Sequence, residues 1–284
     1  MELSLNLGYV IRQLKALHDP APISSALKMI TETGFTLADV TPASYDDEVI
    51  AEYIRCGKEY GVTYRQTHAP YNRYEQLPEE EFIRRTENNY AAALRMGVGN
   101  VVVHGDNYDF SARKAYDPQE AEEYNYRLYA PFVRRAEKDG LNICFETVFE
   151  EHAFARNGED TRYTARMDEL LSLVNRFESP AAKFCWDFGH SKLAFARPEA
   201  EMQKLKGRLC ATHTHDNNHG KDLHLLPYLG DTDWALQMGA LKKADYQGDL
   251  TFEFVYGSFY DTDHLRRFLT EAHLLGEHLI SLFR

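Results

Sequence analysis

Short runs rich in Val, Ile, Leu, Phe, Thr and Cys alternate along this chain with longer amphipathic stretches, and the alternation is regular enough to count. Eight β-type runs emerge, at residues 3–8, 35–40, 62–67, 100–104, 142–147, 183–187, 209–214 and 250–255. Between them lie segments with helical period and the length of a crossover, for example 79–96, 118–138 and 263–282. Parallel strands cannot be joined by tight turns, so a strand-then-helix unit repeated eight times predicts a (β/α)8 TIM barrel, an α/β fold, with residues 1–284 forming one domain.

The punctuation agrees with that topology. Gly34, Gly61, Gly97 and Gly140 fall at the ends of helical patterns, where a left-handed cap turns the chain back into a strand. The segments that follow the strands, notably 69–77, 105–116, 149–160 and 216–234, are long and polar or aromatic. In a barrel that face carries the chemistry. The competing architecture, an open doubly wound sheet around a nucleotide, needs a Gly-rich turn after an early strand, and the sequence has none.

Composition narrows the partners. With 32 basic against 44 acidic residues, the net charge of −12 repels polyanions, so nucleic acid is a disfavoured partner. The first residues have no secretory pattern and no stretch suits a membrane span, so a soluble, cytoplasmic protein is expected. Cys56, Cys144, Cys185 and Cys210 have no CxxC spacing and read as reduced, mostly buried thiols. By strand alternation, Cys144 and Cys185 share a face with Glu146 and Asp187, one layer deeper in the barrel.

The last residues of the strands are the informative ones. His68 (QTHAP), His104 (VVVHGD), Glu146 (CFET), Asp187 and His190 (WDFGH), His213 (THTHDN) and Glu253 (TFEFV) fall at or just beyond strand ends, and Asp222 and His224 follow in KDLH. Carboxylates crowded at a barrel mouth repel one another and take up protons unless a cation holds them, so convergence of these nine groups implies a divalent ion. Mixed oxygen and nitrogen ligation without cysteine suits Mn, Zn or Co, with Fe and Mg also possible.

Each residue has a plainer alternative. A strand-end histidine such as His68 or His104 is often a hydrogen-bonded wall residue. Glu146 and Glu253 lie in apolar strands whose flanking sequence supplies no basic partner, which favours ligation. Asp187 suits helix capping, but the Phe188–Gly189 pair before His190 argues against an ordinary cap, so Asp187 and His190 are read as site residues. Asp222 and His224 lie in a polar segment where solvated charge is the ordinary explanation. His213 and His215 share a strand face; His213 is taken as the ligand, with His215 and Asp216 nearer the rim to contact substrate or hold the loop. His219 and His264 also fall within reach of the mouth segments. Tyr71, Tyr74, Tyr108, Phe149, Tyr228, Trp234, Tyr256 and Phe259 suit pocket walls or packing, and Arg73, Arg113, Arg156, Arg162 and Lys192 suit a phosphate if the substrate carries one.

Taken together, Glu146, WDFGH, THTHDN followed by KDLHLLPYLGDTDW, and Glu253 resemble the xylose isomerase-like barrel superfamily across the whole chain. That superfamily includes sugar phosphate isomerases and epimerases, inosose-processing enzymes and the apurinic endonuclease IV class. The resemblance to the epimerases implies that Glu146, Asp187, His213 and Glu253 hold one divalent ion, that His190 contacts a small sugar-like substrate, and that Glu146 and Glu253 move protons on opposite faces of it through an enediolate. The resemblance to endonuclease IV implies instead three zinc ions held by all nine groups and hydrolysis of abasic DNA. Departures exist on both sides: WDFGH and HDNN differ from the endonuclease pattern, and Asn217, Asn218 and Lys221 stand where the epimerases carry an arginine. A non-catalytic carbohydrate binder on the same scaffold is a third reading. The oligomeric state and the substrate's phosphorylation are open at this point.

Overall fold

The structure, a computed structural model, describes residues 1–42, 44–71, 77–105, 117–150, 162–255 and 257–284. Eight parallel strands form the barrel: β1 (Leu3–Asn6), β2 (Leu37–Asp39), β3 (Thr63–His68), β4 (Asn100–Val103), β5 (Asn142–Glu146), β6 (Ala182–Asp187), β7 (Leu209–His213) and β10 (Leu250–Phe252). Their order runs β10-β1-β2-β3-β4-β5-β6-β7, and β7 meets β10 where Thr214 pairs with Phe252, which closes the ring. Every run counted in the sequence corresponds to one of these strands. The first is shorter than expected, because the Asn6 side chain accepts from Gly8 N at 2.9 Å and starts helix α1 (Leu7–Ala16) at once.

The helices form where the pattern and the caps agree. In α1, Leu7, Val10, Ile11 and Leu14 recur at helical spacing and are buried against the barrel. Helix α2 is Pro22–Glu32, α3 is Asp47–Tyr60 and α4 is Glu79–Met96. Three glutamates, Glu79, Glu80 and Glu81, crowd the first turn of α4, where the helix dipole favours negative charge. Helix α5 (Pro118–Asp139) starts from an Asp117 cap, and α3, α4 and α5 end on Gly61, Gly97 and Gly140 in the left-handed region. The ring continues with α6 (Met167–Arg176), α7 (Phe188–Ala194), the single turn α8 (Pro198–Glu201), α9 (Trp234–Lys243) and α10 (Thr262–Phe283). Gly276 in α10 packs so closely on β1 that an added Cβ would stand 2.6 Å from Leu3 Cδ2.

Strand alternation creates two apolar layers. Outward-facing residues such as Val101, Val103, Phe145 and Phe184 join the helices in the main core, whereas Val102, Cys144, Cys185 and Ala211 pack together separately, with Cys210 against them. That small cluster lies one layer below Glu146, Asp187 and His213 and gives the polar mouth an apolar floor. All four cysteines are free thiols, three of them buried, in line with the composition. Residues 216–234, expected as loop, contain an antiparallel hairpin of β8 (Asp216–Asn218) and β9 (Lys221–Leu225). Among the described residues no helix is long and apolar enough to cross a membrane.

Candidate metal centre

Glu146 is the hub of the barrel mouth. It ends β5 with 1% of its side chain exposed, and four imidazoles surround it. Its Oε2 stands 3.1 Å from His68 Nε2, 3.4 Å from His104 Nε2 and 3.2 Å from His213 Nδ1, while Oε1 stands 3.0 Å from His190 Nδ1. His213 Nδ1 also lies 3.3 Å from Glu253 Oε2 and 3.8 Å from Asp187 Oδ2. The four residues expected to hold one ion therefore converge, at the ends of β5, β6 and β7 and just past β10.

The flanking groups converge as well. His68, His104 and Glu146 form one compact set, and His190, Asp222 and His224 with His215 form another. Asp222 Oδ2 stands 3.6 Å from His190 Nε2 and 3.3 Å from His224 Nε2, so these two side chains reach the cluster from a segment, KDLH, that is otherwise open to solvent. The hairpin brings it there: His224 Nδ1 faces the Glu253 carbonyl at 3.1 Å, and the Val255 N–H donates to the His224 carbonyl.

Hydrogen bonds to the far ring nitrogens fix how each imidazole is presented. His68 Nδ1 donates to the Ala69 carbonyl at 2.6 Å, His190 Nδ1 lies 3.2 Å from the Thr147 carbonyl, and His224 Nδ1 donates to Glu253. A carbonyl only accepts, so these rings carry Nδ1–H and offer Nε2, the usual preparation of a ligand. His104 differs. Buried Arg162 donates to its Nδ1 at 3.2 Å, which assigns the ring proton to Nε2, toward Glu146 and His68.

Electrostatics show what this mouth lacks on its own. Burial would raise the Glu146 carboxyl, but His213, His104 and His190 outweigh it and hold it well below the carboxylate range. Asp187 is likewise lowered against its burial by His190 and His215, and Glu253 by His213 and His224. Burial would lower His213 and His190, yet Glu253 and Glu146 push the first well above its ordinary value and Asp187, Asp222 and Glu146 push up the second. His224 rises to about 9 against its burial, chiefly through Asp222. The acids thus demand positive charge at their centre, which protons on buried imidazoles supply when nothing else does.

A divalent cation fits the residues present. Both ring nitrogens of His213 are fully buried and have no hydrogen-bond partner among the described residues, although Nδ1 has carboxylate oxygens of Glu146, Glu253 and Asp187 within 3.8 Å. Close oxygens without hydrogen-bond geometry are what coordination around a common ion looks like. Burial and the charges of Glu146 and Asp187 push the Cys185 thiol well above its ordinary value, and its Sγ lies within 4.8 Å of ligand atoms of Glu146 and His213.

Several local expectations change. Asp187 does cap a helix: its Oδ1 accepts from His190 N at 2.7 Å at the start of α7, so Phe188 and Gly189 are no obstacle and one carboxylate both caps and faces the cluster. His215 and Asp216 are not at a rim but fully buried. His215 Nε2 lies 3.0 Å from Asp187 Oδ1. Asp216 accepts from Asn217 N, Tyr228 N, Thr232 N, Thr232 Oγ1 and Trp234 Nε1, which gives its carboxylate to the hairpin loop. Lys192 pairs with Asp231. Phe149 packs on His190 at 5.1 Å and Tyr71 stacks on His104 at 4.6 Å, so these two aromatics line the mouth. Trp234 and Phe259 are buried packing residues, His219 is exposed in the hairpin turn, and His264 stacks on exposed Tyr260 at the start of α10. Arg73, Tyr74, Tyr108, Arg113, Arg156 and Tyr256 lie outside the described residues.

Three residues of the mouth escaped the sequence reading. Asn6 Nδ2 donates to Glu253 Oε1 at 3.3 Å, Asp39 Oδ2 stands 3.7 Å from His213 Nε2, and Gln66 Nε2 donates to Asp39 Oδ2 at 3.2 Å. Asn6 and Asp39 end β1 and β2, so the strand-end rule that collected the ligands applies to them equally.

Fold and site together define a parallel barrel with a mouth lined by acids and imidazoles. A family profile described as xylose isomerase-like TIM barrel matches residues 27–272, and the chain belongs to that family. It is 27% identical over 267 residues to the uncharacterized protein y4fM of Sinorhizobium fredii (strain NBRC 101917 / NGR234), covering 81% of this chain and 80% of the relative. Among solved structures it is similar to a D-tagatose 3-epimerase-like protein, with a TM-score of 0.77 and 18% identity over 100% of this chain and 98% of the other. D-Psicose 3-epimerase with D-tagatose from Clostridium cellulolyticum H10 gives 0.74 and 16%, covering 99% of each chain. 3-Keto-D-glucoside 4-epimerase YcjR from E. coli gives 0.71 and 14%, covering 89% of this chain and 94% of the other. At these identities the likeness is one of fold.

Proposed function

We propose that this protein is a metal-dependent isomerase or epimerase acting on a small sugar, sugar phosphate or inosose-like polyol. The observation that carries the reading is the pair of carboxylates flanking one position: Glu146 Oε2 and Glu253 Oε2 stand 3.2 and 3.3 Å from the same His213 Nδ1. Glu146, Asp187, His213 and Glu253 would hold the ion. When bound, it supplies a Lewis acid that polarises a carbonyl and the adjacent hydroxyl. One of the two glutamates takes the proton from the carbon next to the carbonyl, and the C–H electrons pass into an enediolate. The other returns a proton, to the opposite face in epimerisation or to the neighbouring carbon in isomerisation. Glu253 keeps 23% of its side chain open and is the better placed of the two to meet an entering substrate. His190, between Glu146 and Asp222, is the proposed contact to the substrate. The sugar epimerases among the structural neighbours support the same class.

Solvent deuterium exchange tests this. With Mn²⁺ or Co²⁺ present, at least one member of a panel of ketoses, inososes and their phosphates should gain deuterium at the carbon next to its carbonyl, and Glu253→Gln should abolish the gain. Absence of exchange across the panel overturns the reading.

A second reading, an endonuclease IV-like phosphodiester hydrolase with three ions, is favoured by the two flanking sets around the central four residues. Two features weigh against it. Arg162 donates to His104 Nδ1 and leaves the ring proton on Nε2, so neutral His104 offers no free nitrogen to an ion, and a net charge of −12 opposes a polyanionic substrate. Elemental analysis showing three metals per chain, with cleavage of abasic duplex DNA, would prefer it to the epimerase.

A further inference from the structure

Asp39 is a buried acid that the proposed chemistry does not use. It ends β2 with no exposed surface, and among the described residues its Oδ1 has no hydrogen-bond partner and Oδ2 accepts only from Gln66. A carboxylate buried this way costs several kcal/mol that an apolar residue would avoid, so its presence asks for a compensating partner. The group it faces is His213 Nε2, at 3.7 Å across the barrel interior.

His213 has only two nitrogens to assign. Nδ1 points among Glu146, Glu253 and Asp187, so that nitrogen must carry the lone pair if the ring is to ligate. The ring proton then belongs to Nε2, inside the barrel and out of reach of water. Asp39 is the carboxylate that faces it, and Gln66, which also reaches the Thr212 carbonyl at 3.4 Å, braces Asp39. We infer that Asp39 is a positioning residue that holds His213 in its Nε2–H form and turns Nδ1 to the cation, a carboxylate–histidine–metal relay running through the barrel from β2 to β7. This inference rests on reading Glu146, Asp187, His213 and Glu253 as a metal site.

Mn²⁺ titration of the chelator-stripped full chain tests it, alongside thermal melting of the metal-free protein. Asp39→Ala should weaken Mn²⁺ binding roughly 10–100-fold and Asp39→Asn, which keeps an acceptor for Nε2–H, by less. Both variants should melt no lower than wild type without metal, because they remove an under-partnered buried charge. A merely structural acid would behave the opposite way, with a lower melting temperature and unchanged affinity. Affinities of both variants within twofold of wild type overturn the inference while leaving the metal site standing. Wild-type protein that binds no Mn²⁺ overturns the metal site and the inference with it. Imidazole ¹⁵N NMR of the Zn²⁺-loaded wild type needs no variant: a protonated Nε2 and metal-bound Nδ1 on His213 support the relay, and the reverse assignment overturns it.

Discussion

His215 lies flat on His224, with ring centroids 3.8 Å apart and planes 8° from parallel. The contact joins the end of β7 to the hairpin strand β9 and sets His224 where its Nε2 meets Asp222. His215 also stands 3.0 Å from Asp187. Its replacement by Ala is expected to cost roughly 2–3 kcal/mol, the scale of a buried hydrogen bond to a charged group. Amide hydrogen exchange should accelerate at residues 221–225 while β4 and β5 stay protected. Unchanged exchange in the hairpin would show that the stacking does not hold it.

Stability of the metal-free protein is expected to fall as pH rises from 6.5. His224 has a folded value of about 9, above its ordinary 6.5, so its contribution is fully present below 6.5 and is lost as pH climbs through 9. Asp39, raised to about 6 by burial against the pull of His213 and Gln66, acts in the same direction: its favourable protonated state is complete below 3.8 and gone above 6. Glu146 and Asp187 are lowered, so theirs is present above the ordinary carboxylate values and lost only in acid. Melting temperatures of chelated protein from pH 4 to 9 check this, and a rise between 7 and 9 contradicts it.

Loading with a divalent ion should reverse that slope. The ion displaces protons from the imidazoles, so its affinity rises with pH. Mn²⁺ at about 100 times its dissociation constant should stabilise by about 2.7 kcal/mol. Glu146→Gln, which removes the hub carboxylate, is expected to eliminate the shift. Equal melting temperatures with and without metal in wild type would refute a resident ion.

Asp216 is expected to matter for folding more than for chemistry. Its carboxylate gathers five donors, and a Cβ on Gly230 would stand 2.3 Å from Asp216 Oδ1, so loop and acid are closely fitted. Asp216→Ala should lose at least about 3 kcal/mol in urea denaturation, since two buried donors, Asn217 N and Trp234 Nε1, and three part-buried ones lose their carboxylate acceptor together. Gly230→Ala should show a smaller loss of the same kind. Full stability in Asp216→Ala would return the residue to the list of substrate contacts.

The sequence by itself determined the barrel and the roll of strand-end groups. Alternation with period two, amphipathic crossovers and glycine caps are local properties, and in a parallel barrel each strand delivers its last residue to the same rim, so Glu146, Asp187, His213 and Glu253 could be named without coordinates. It did not determine which atom meets which. Asn6 and Glu253 are 247 positions apart and touch only because β1 pairs with β10. The burial of His215 and Asp216 depends on a hairpin whose two strands have no strong alternation of their own, and Asp187 serves as both cap and cluster acid because α7 begins at the barrel rim. The proton positions on His68, His104 and His213 follow from the carbonyl, guanidinium or carboxylate behind each ring, and those neighbours are fixed by closure of the ring of strands rather than by any local pattern.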